Sequence, residues 1–312
     1  ALTEATAPTE FGSPQIFVDD QNPDSAVPPR TTPLLLARDN SVYGIHLICR
    51  QCTALYANNR STLTTRNIQL SGSVAAALFN THLDVEVART FSNSTTQGPA
   101  FWVEDTTGRV ELTGGVSVFS VKNHSLTSDG EAIRFRNTGD VSLNALNGTT
   151  LWVENATGLT LTNANFNKDE PGNQRRFANV QLSNVQGAMY LNNIRIRQTP
   201  SVSETFRGLL IANSSGRLNV EAERINAFSS NASGLNNFFD RLVTVTASGD
   251  AQVDFSMRNS ILLNTRQNGL QCTASGTAQL GCYLTDVQIG SRARPFPATG
   301  SQVIMELGGG PG

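Results

Sequence analysis

The chain has 312 residues, of which 38% are hydrophobic and only 15% charged, and its formal net charge at pH 7 is −2. That balance gives no electrostatic reason to expect nucleic acid or an anionic membrane surface as a partner, and no apolar run has the length of a membrane span. Asn, Ser, Thr and Gly replace the missing charge, which is the composition of a turn-rich β protein rather than a helical one.

Residues 1–40 show little periodicity. Ala7-Pro8, Asn22-Pro23 and Val27-Pro28-Pro29 hold the backbone extended or turning. Gln15–Val18 and Pro33–Leu36 are short strand candidates. The segment reads as an extended leader, or as an arm that caps the first coil or pairs with a neighbouring molecule. A first residue Ala1 instead of Met fits a removed signal peptide or a trimmed chain.

Residues 41–92 carry the first alternating strands. Leu83, Val85 and Val87 are apolar, with Asp84 and Glu86 between them, so one face is buried and the acids point out. Phe101-Trp102-Val103-Glu104-Asp105-Thr106-Thr107-Gly108 then returns as Leu151-Trp152-Val153-Glu154-Asn155-Ala156-Thr157-Gly158. With glycine as anchor, weaker copies end at Gly139, Gly187, Gly216, Gly249 and Gly276. Most have an apolar residue six positions earlier (Ile133, Leu210, Val243, Leu270), and apolar residues follow each. Such strand–bend–strand units cannot bury an apolar face alone, and stacking them also satisfies their backbone groups. Gly and Asn suit the bends because both reach positive φ.

The pattern predicts an all-β chain, a right-handed parallel β-helix over 41–290. About eight to ten coils at ~4.8 Å each are expected. Excursions at 167–176, 198–207 and 228–240 read as loops projecting from it. Residues 291–312 supply a cap strand within Ser301–Leu307 and a Gly-rich tail, Gly308–Gly312.

Four cysteines form two close pairs, Cys49/Cys52 and Cys272/Cys282. Disulfides at the two ends of the solenoid, in an oxidising compartment, are the leading reading. Free thiols come next; zinc comes last, because ten residues separate the second pair.

No catalytic motif stands out, and no metal or cofactor is expected. His46, His82 and His124 lack metal spacing. Outward acids (Asp84, Glu86, Glu111, Glu221, Glu223, Asp254) are spread over many coils and read as a solvated acidic edge; Asp84, Glu86, Glu221 and Glu223 are kept as glycan-face candidates. Paired acids at Asp19-Asp20, Glu104-Asp105 and Asp169-Glu170 are not brought together by anything in the sequence. Trp102 and Trp152 are either a sugar-stacking pair or core residues, and core is favoured. Sequons occur at Asn59, Asn93, Asn123, Asn147, Asn155, Asn213 and Asn231.

The style of these repeats, over about 45–290, resembles right-handed β-helix passengers of bacterial autotransporters and other surface adhesins. More distantly it is similar to the pectate-lyase-like superfamily, whose catalytic Asp, Arg and Lys motifs find no match here. The resemblance implies a secreted or cell-surface protein with a structural or binding role: an adhesin, a passenger domain or a self-assembling fibre subunit. Its implied partners are a glycan or protein ligand and further copies of itself, end to end. Two alternatives stand beside it: a lyase or hydrolase of acidic polysaccharides, and a phage or viral tail-fibre segment.

Overall fold

The computed structural model describes residues 15–18, 39–58, 62–92, 99–113, 116–118, 133–148, 150–168, 178–198, 207–229, 241–263, 268–290 and 303–307. These residues form strands and the corners between them, with no helix. Most of the expected excursions, Pro33–Leu36 and the Gly-rich tail lie outside them. The chain divides into two compact units, 1–149 and 150–312.

The first unit holds β1 (Gln15–Val18), β2 (Asn40–Tyr43), β3 (His46–Asn58), β4 (Thr62–Phe79), β5 (His82–Ser92), β6 (Phe101–Glu104), β7 (Thr107–Leu112), β8 (Val116–Val118), β9 (Ile133–Asn144) and β10 (Leu146–Gly148). The second holds β11 (Leu151–Lys168), β12 (Ala178–Ser183), β13 (Gly187–Gln198), β14 (Arg207–Asn213), β15 (Arg217–Ser229), β16 (Arg241–Ala247), β17 (Gln252–Leu263), β18 (Asn268–Ala274), β19 (Gln279–Gly290) and β20 (Val303–Leu307). Their ladders are parallel, and partners are distant in sequence: Val180 faces Leu209, which faces Val243, which faces Leu270. This is a parallel β-helix, with the right-handed connection that parallel crossovers take.

Each coil passes through three walls. In the second unit, wall A is β12–β14–β16–β18–β20, started by Leu151–Glu154. The long strands β13, β15, β17 and β19 each bend once, giving wall B before the bend and wall C after it, and β11, after a first corner at Asn155, does the same beyond it. At that bend stand Asn163, Asn193, Arg224, Asn259 and Asp286, all with φ between 50° and 56°. A single left-handed residue turns a strand without ending it. Asn tolerates this conformation because its short amide bonds locally, and here Asn193 Nδ2 donates to Asn163 Oδ1 on the rung before, at 2.7 Å.

Alternation does the rest. Inward residues stack in columns such as Phe166–Ile196–Ala227–Leu262 on wall C, all buried. The small Ala227 sits between the larger Ile196 and Leu262 in that column. In the first unit the Phe101 and Phe135 rings lie 5.8 Å apart inside the coil stack.

Two sequence expectations need correcting here. Leu210 holds an outward position, between Gln181 and Thr244; Leu209 and Ile211 point inward. The glycine frame is one residue late in that coil. Gly158, read as a positive-φ bend, is not one, and neither is Gly139. Gly139 stacks on Gly108, and a Cβ at 139 would overlap the Gly108 carbonyl oxygen. Close approach explains that glycine, whereas Gly108 itself combines φ +86° with contact to Leu83.

Candidate functional site

Cys272 and Cys282 form a disulfide, Cα–Cα 7.0 Å. Cys272 continues the inward column Ile211–Val245 of wall A, and Cys282 the inward column Val220–Phe255 of wall B. The bond therefore spans the interior of one coil. Cys49, on β3, is also disulfide-bonded, and no described cysteine is free. The side chain of Cys52 lies outside the described set.

Wall B of the first unit gathers the acids expected there. Asp84 and Glu86 on β5 and Glu111 on β7 share one outward face with Arg66 and Arg109. Arg66 bonds Asp84 and lies 3.8 Å from Glu86; Arg109 reaches Asp84 at 3.2 Å and Glu111 at 3.5 Å. The guanidinium hydrogen bond from Arg66, seconded by Arg109, holds the Asp84 carboxyl below its ordinary value. The acids are thus tied between rungs by arginines, and the bare acidic edge expected from sequence is a mixed-charge lattice. His46 lies on wall C, bonded to Ser71 Oγ at 2.9 Å, and burial with the nearby Arg89 charge lowers its pKa.

Trp102 and Trp152 occupy the same place in their strands, the second of four residues on wall A, with buried neighbours on either side. Both point outward and are half-buried. This corrects the favoured core reading: the flanking Phe101 and Val103, or Leu151 and Val153, take the interior. Around Trp102 an aromatic column crosses the wall. The Phe79 ring meets it edge-on at 5.1 Å, Tyr56 meets Phe79 at 6.2 Å, and the Arg134 guanidinium lies 5.8 Å over the indole. The indole Nε1 donates to Glu104 Oε2 at 2.9 Å, and Arg136 bonds the other Glu104 oxygen at 2.8 Å. Asp105, beside Glu104, turns the corner at φ 54° and accepts from Asn137 at 2.6 Å.

In the second unit Glu221 and Glu223 both face out on wall B. Glu223 is bonded by Arg258 at 3.1 Å, and Asp254 lies 3.7 Å from Arg217. Glu221 is exposed, with Tyr190 on the rung before and Ser256 then Tyr283 on the rungs after. Tyr283 is 62% exposed. The Trp102 column and the Tyr190–Glu221–Ser256–Tyr283 column were hidden in the sequence, because successive members lie 23 to 35 residues apart and meet only through register. Of the sequons, Asn155 is an exposed corner, while Asn213 is buried and donates to the Val185 carbonyl at 2.7 Å.

Chemically, the described walls offer half-exposed aromatic faces, paired guanidinium and carboxylate groups and an unengaged acid, Glu221. Among the described residues no group of three or more His, Cys, Asp or Glu is placed to hold a metal ion. Asp19-Asp20, Asp169-Glu170 and His124 lie outside those residues. No protein-family model, no curated protein and no solved structure matches this chain.

Proposed function

We propose that the chain is a secreted or cell-surface β-helix with a structural and binding role, as in an adhesin, a passenger domain or a fibre subunit. The observation that carries this reading is the pairing of charge across rungs. Asp84, Glu104, Glu223 and Asp254 each lie within 4 Å of an arginine, most of them on a neighbouring coil. Carboxylates so engaged tie coils together; a general acid or nucleophile needs one left free and tuned. The disulfide fits an oxidising compartment. End-to-end self-association belongs to the same reading, since among the described residues β19 pairs only with β17 and offers its other edge. Antibody labelling of intact source cells and of their medium tests the compartment: signal outside the cell is expected, and a chain confined to the cytosol would sink the proposal.

A second reading, an enzyme acting on acidic polysaccharides, is favoured by Glu221 alone, unengaged between Tyr190 and Ser256 with Tyr283 beyond. Its test is release of reducing or unsaturated sugar ends. Release that disappears in Glu221→Gln would replace the first reading with this one.

A further inference from the structure

Wall C of the second unit carries arginines that break the pairing rule. Arg195 and Arg197 lie two residues apart on β13, on the same outward face. Among the described residues neither meets a carboxylate. Both instead lean over one ring on the next rung: their guanidinium carbons lie 5.4 and 5.8 Å from the centroid of Phe228, the register partner of Arg197. Arg195 is exposed; the Arg197 Nε is buried and has no acceptor. The flanking outward positions in register with Arg195 are Asn165 and Asn226, which add no negative charge.

The ring attracts the cations through its face. A stacked guanidinium keeps its in-plane N–H donors for other acceptors, and those donors match the two oxygens of a carboxylate or sulfate. Two such forks converge on Phe228, and no described acid cancels the positive charge there. Elsewhere on the described walls Arg66, Arg109, Arg134, Arg136, Arg217 and Arg258 meet acids, and Arg224 bonds the Asn192 amide oxygen. We infer that Arg195, Arg197 and Phe228 form a binding site for an oxyanion group, sulfate or carboxylate, carried by an acidic polysaccharide. This rests on the binding role proposed above and names its ligand class. The Phe228 ring fixes the two forks, and the uncharged Asn165 and Asn226 leave the neighbouring rungs open to the hydroxyls of the same sugar chain.

The test measures binding of the full chain to a sulfated polysaccharide (heparin), a carboxylated one (polygalacturonate) and inorganic sulfate, over a range of salt. Saturable binding to at least one polysaccharide is expected, weakened about ten-fold or more in Arg195→Gln/Arg197→Gln, as for loss of charge-assisted bonds. The salt dependence should flatten with it. Phe228→Leu, which keeps the bulk but removes the ring, should weaken binding by a smaller factor. Arg258→Gln, on wall B, controls for general loss of charge and should bind as the parent does. Unchanged binding in the double variant, or loss equal to that in Arg258→Gln, overturns the site. Binding of inorganic sulfate with none of either polysaccharide overturns the glycan assignment. If neither polysaccharide binds while cells or neutral glycans do, this site fails and the broader binding role stands. Melting curves of the double variant that match the parent exclude misfolding as the cause.

Discussion

The two units share one wall plan but keep register differently. In residues 150–312 each ladder holds one offset from end to end: Arg217 pairs with Gln252 and Phe228 with Leu263, with no slip between. In residues 1–149 the β3–β4 ladder slips between Cys49 and Thr53, and the β4–β5 ladder slips twice between Thr65 and Gln69. The second slip falls at the wall B to wall C corner. There β4 turns on Asn67 at φ 53°, whereas the described corner of β5 contains no left-handed residue. The second unit has a left-handed residue at that corner in every described coil. The difference teaches that register is held at the corners: one residue of fixed conformation per coil makes each strand enter the next wall in step.

The strongest way to break that comparison is at a glycine. In Gly108→Ala the new Cβ would overlap the Leu83 carbonyl oxygen, and the backbone sits at φ +86°. Backbone cannot move aside as a flexible side chain does. A loss above about 4 kcal/mol is expected in urea unfolding, at the exceptional end for point changes. Gly276→Ala in the second unit also sits at positive φ, +70°, but its Cβ would meet nothing closer than the Gly249 oxygen at 3.3 Å. About 1–2 kcal/mol, the cost of the left-handed conformation, is expected there. Equal losses at the two sites would show that conformation and not close stacking sets the cost.

The disulfide comes next. Cys272→Ser/Cys282→Ser releases a short loop, and chain entropy puts the loss at about 3 kcal/mol. Because both cysteines sit in the interior of the coil formed by β18 and β19, hydrogen exchange should speed up in those strands first. Faster exchange confined to β3 and β4 would contradict the placement.

What could be read from the sequence follows a physical divide. Alternation at 83–87, 101–104 and 151–154 reports a buried face directly, so the strands, the stacking and the short strands Gln15–Val18 and Val303–Leu307 were legible. Partners across rungs were not. Trp102 alternates with Phe101 and Val103, and in a run that is apolar at three of four positions composition alone cannot tell which set points inward. Arg224 and Asp286 turn corners that Asn holds elsewhere, so no residue type marked that position. The arginines that cover Asp84 come from strands on either side of it, 18 and 25 residues away, and nothing in the spacing pointed to them.

A smaller effect sharpens the corner comparison. Asn193→Ala keeps φ near 56° without the amide bond to Asn163, and about 1–2 kcal/mol is expected. Asn193→Gly removes the same bond but adopts that φ without strain. If Gly restores most of the stability lost in Ala, conformation holds the corner; if both lose equally, the side-chain ladder does.

The smallest effect belongs to the first unit's charge lattice, and it is read through pH. Asp84 is held below its ordinary pKa by the Arg66 hydrogen bond and by Arg109. Its ionised form is therefore favoured more in the folded state than in the unfolded one. The stability it contributes is fully present above the ordinary carboxylate value and is lost as pH falls through the depressed folded value. His46 acts in a separate window: its folded pKa is lowered, so the unfolded chain takes up the proton first and stability falls as pH drops below about 6.5. Asp84→Asn should flatten the acid limb of melting temperature against pH and leave the His46 step intact, and His46→Gln should do the reverse. The Asp84 pair is more than one-third exposed on the Asp84 side (38%), so solvent screens it and the change should shrink further in high salt. A salt-insensitive change would mean that Arg66 supports the corner at Asn67 by packing, and would move the source of the first unit's irregular register from its corners to its charges.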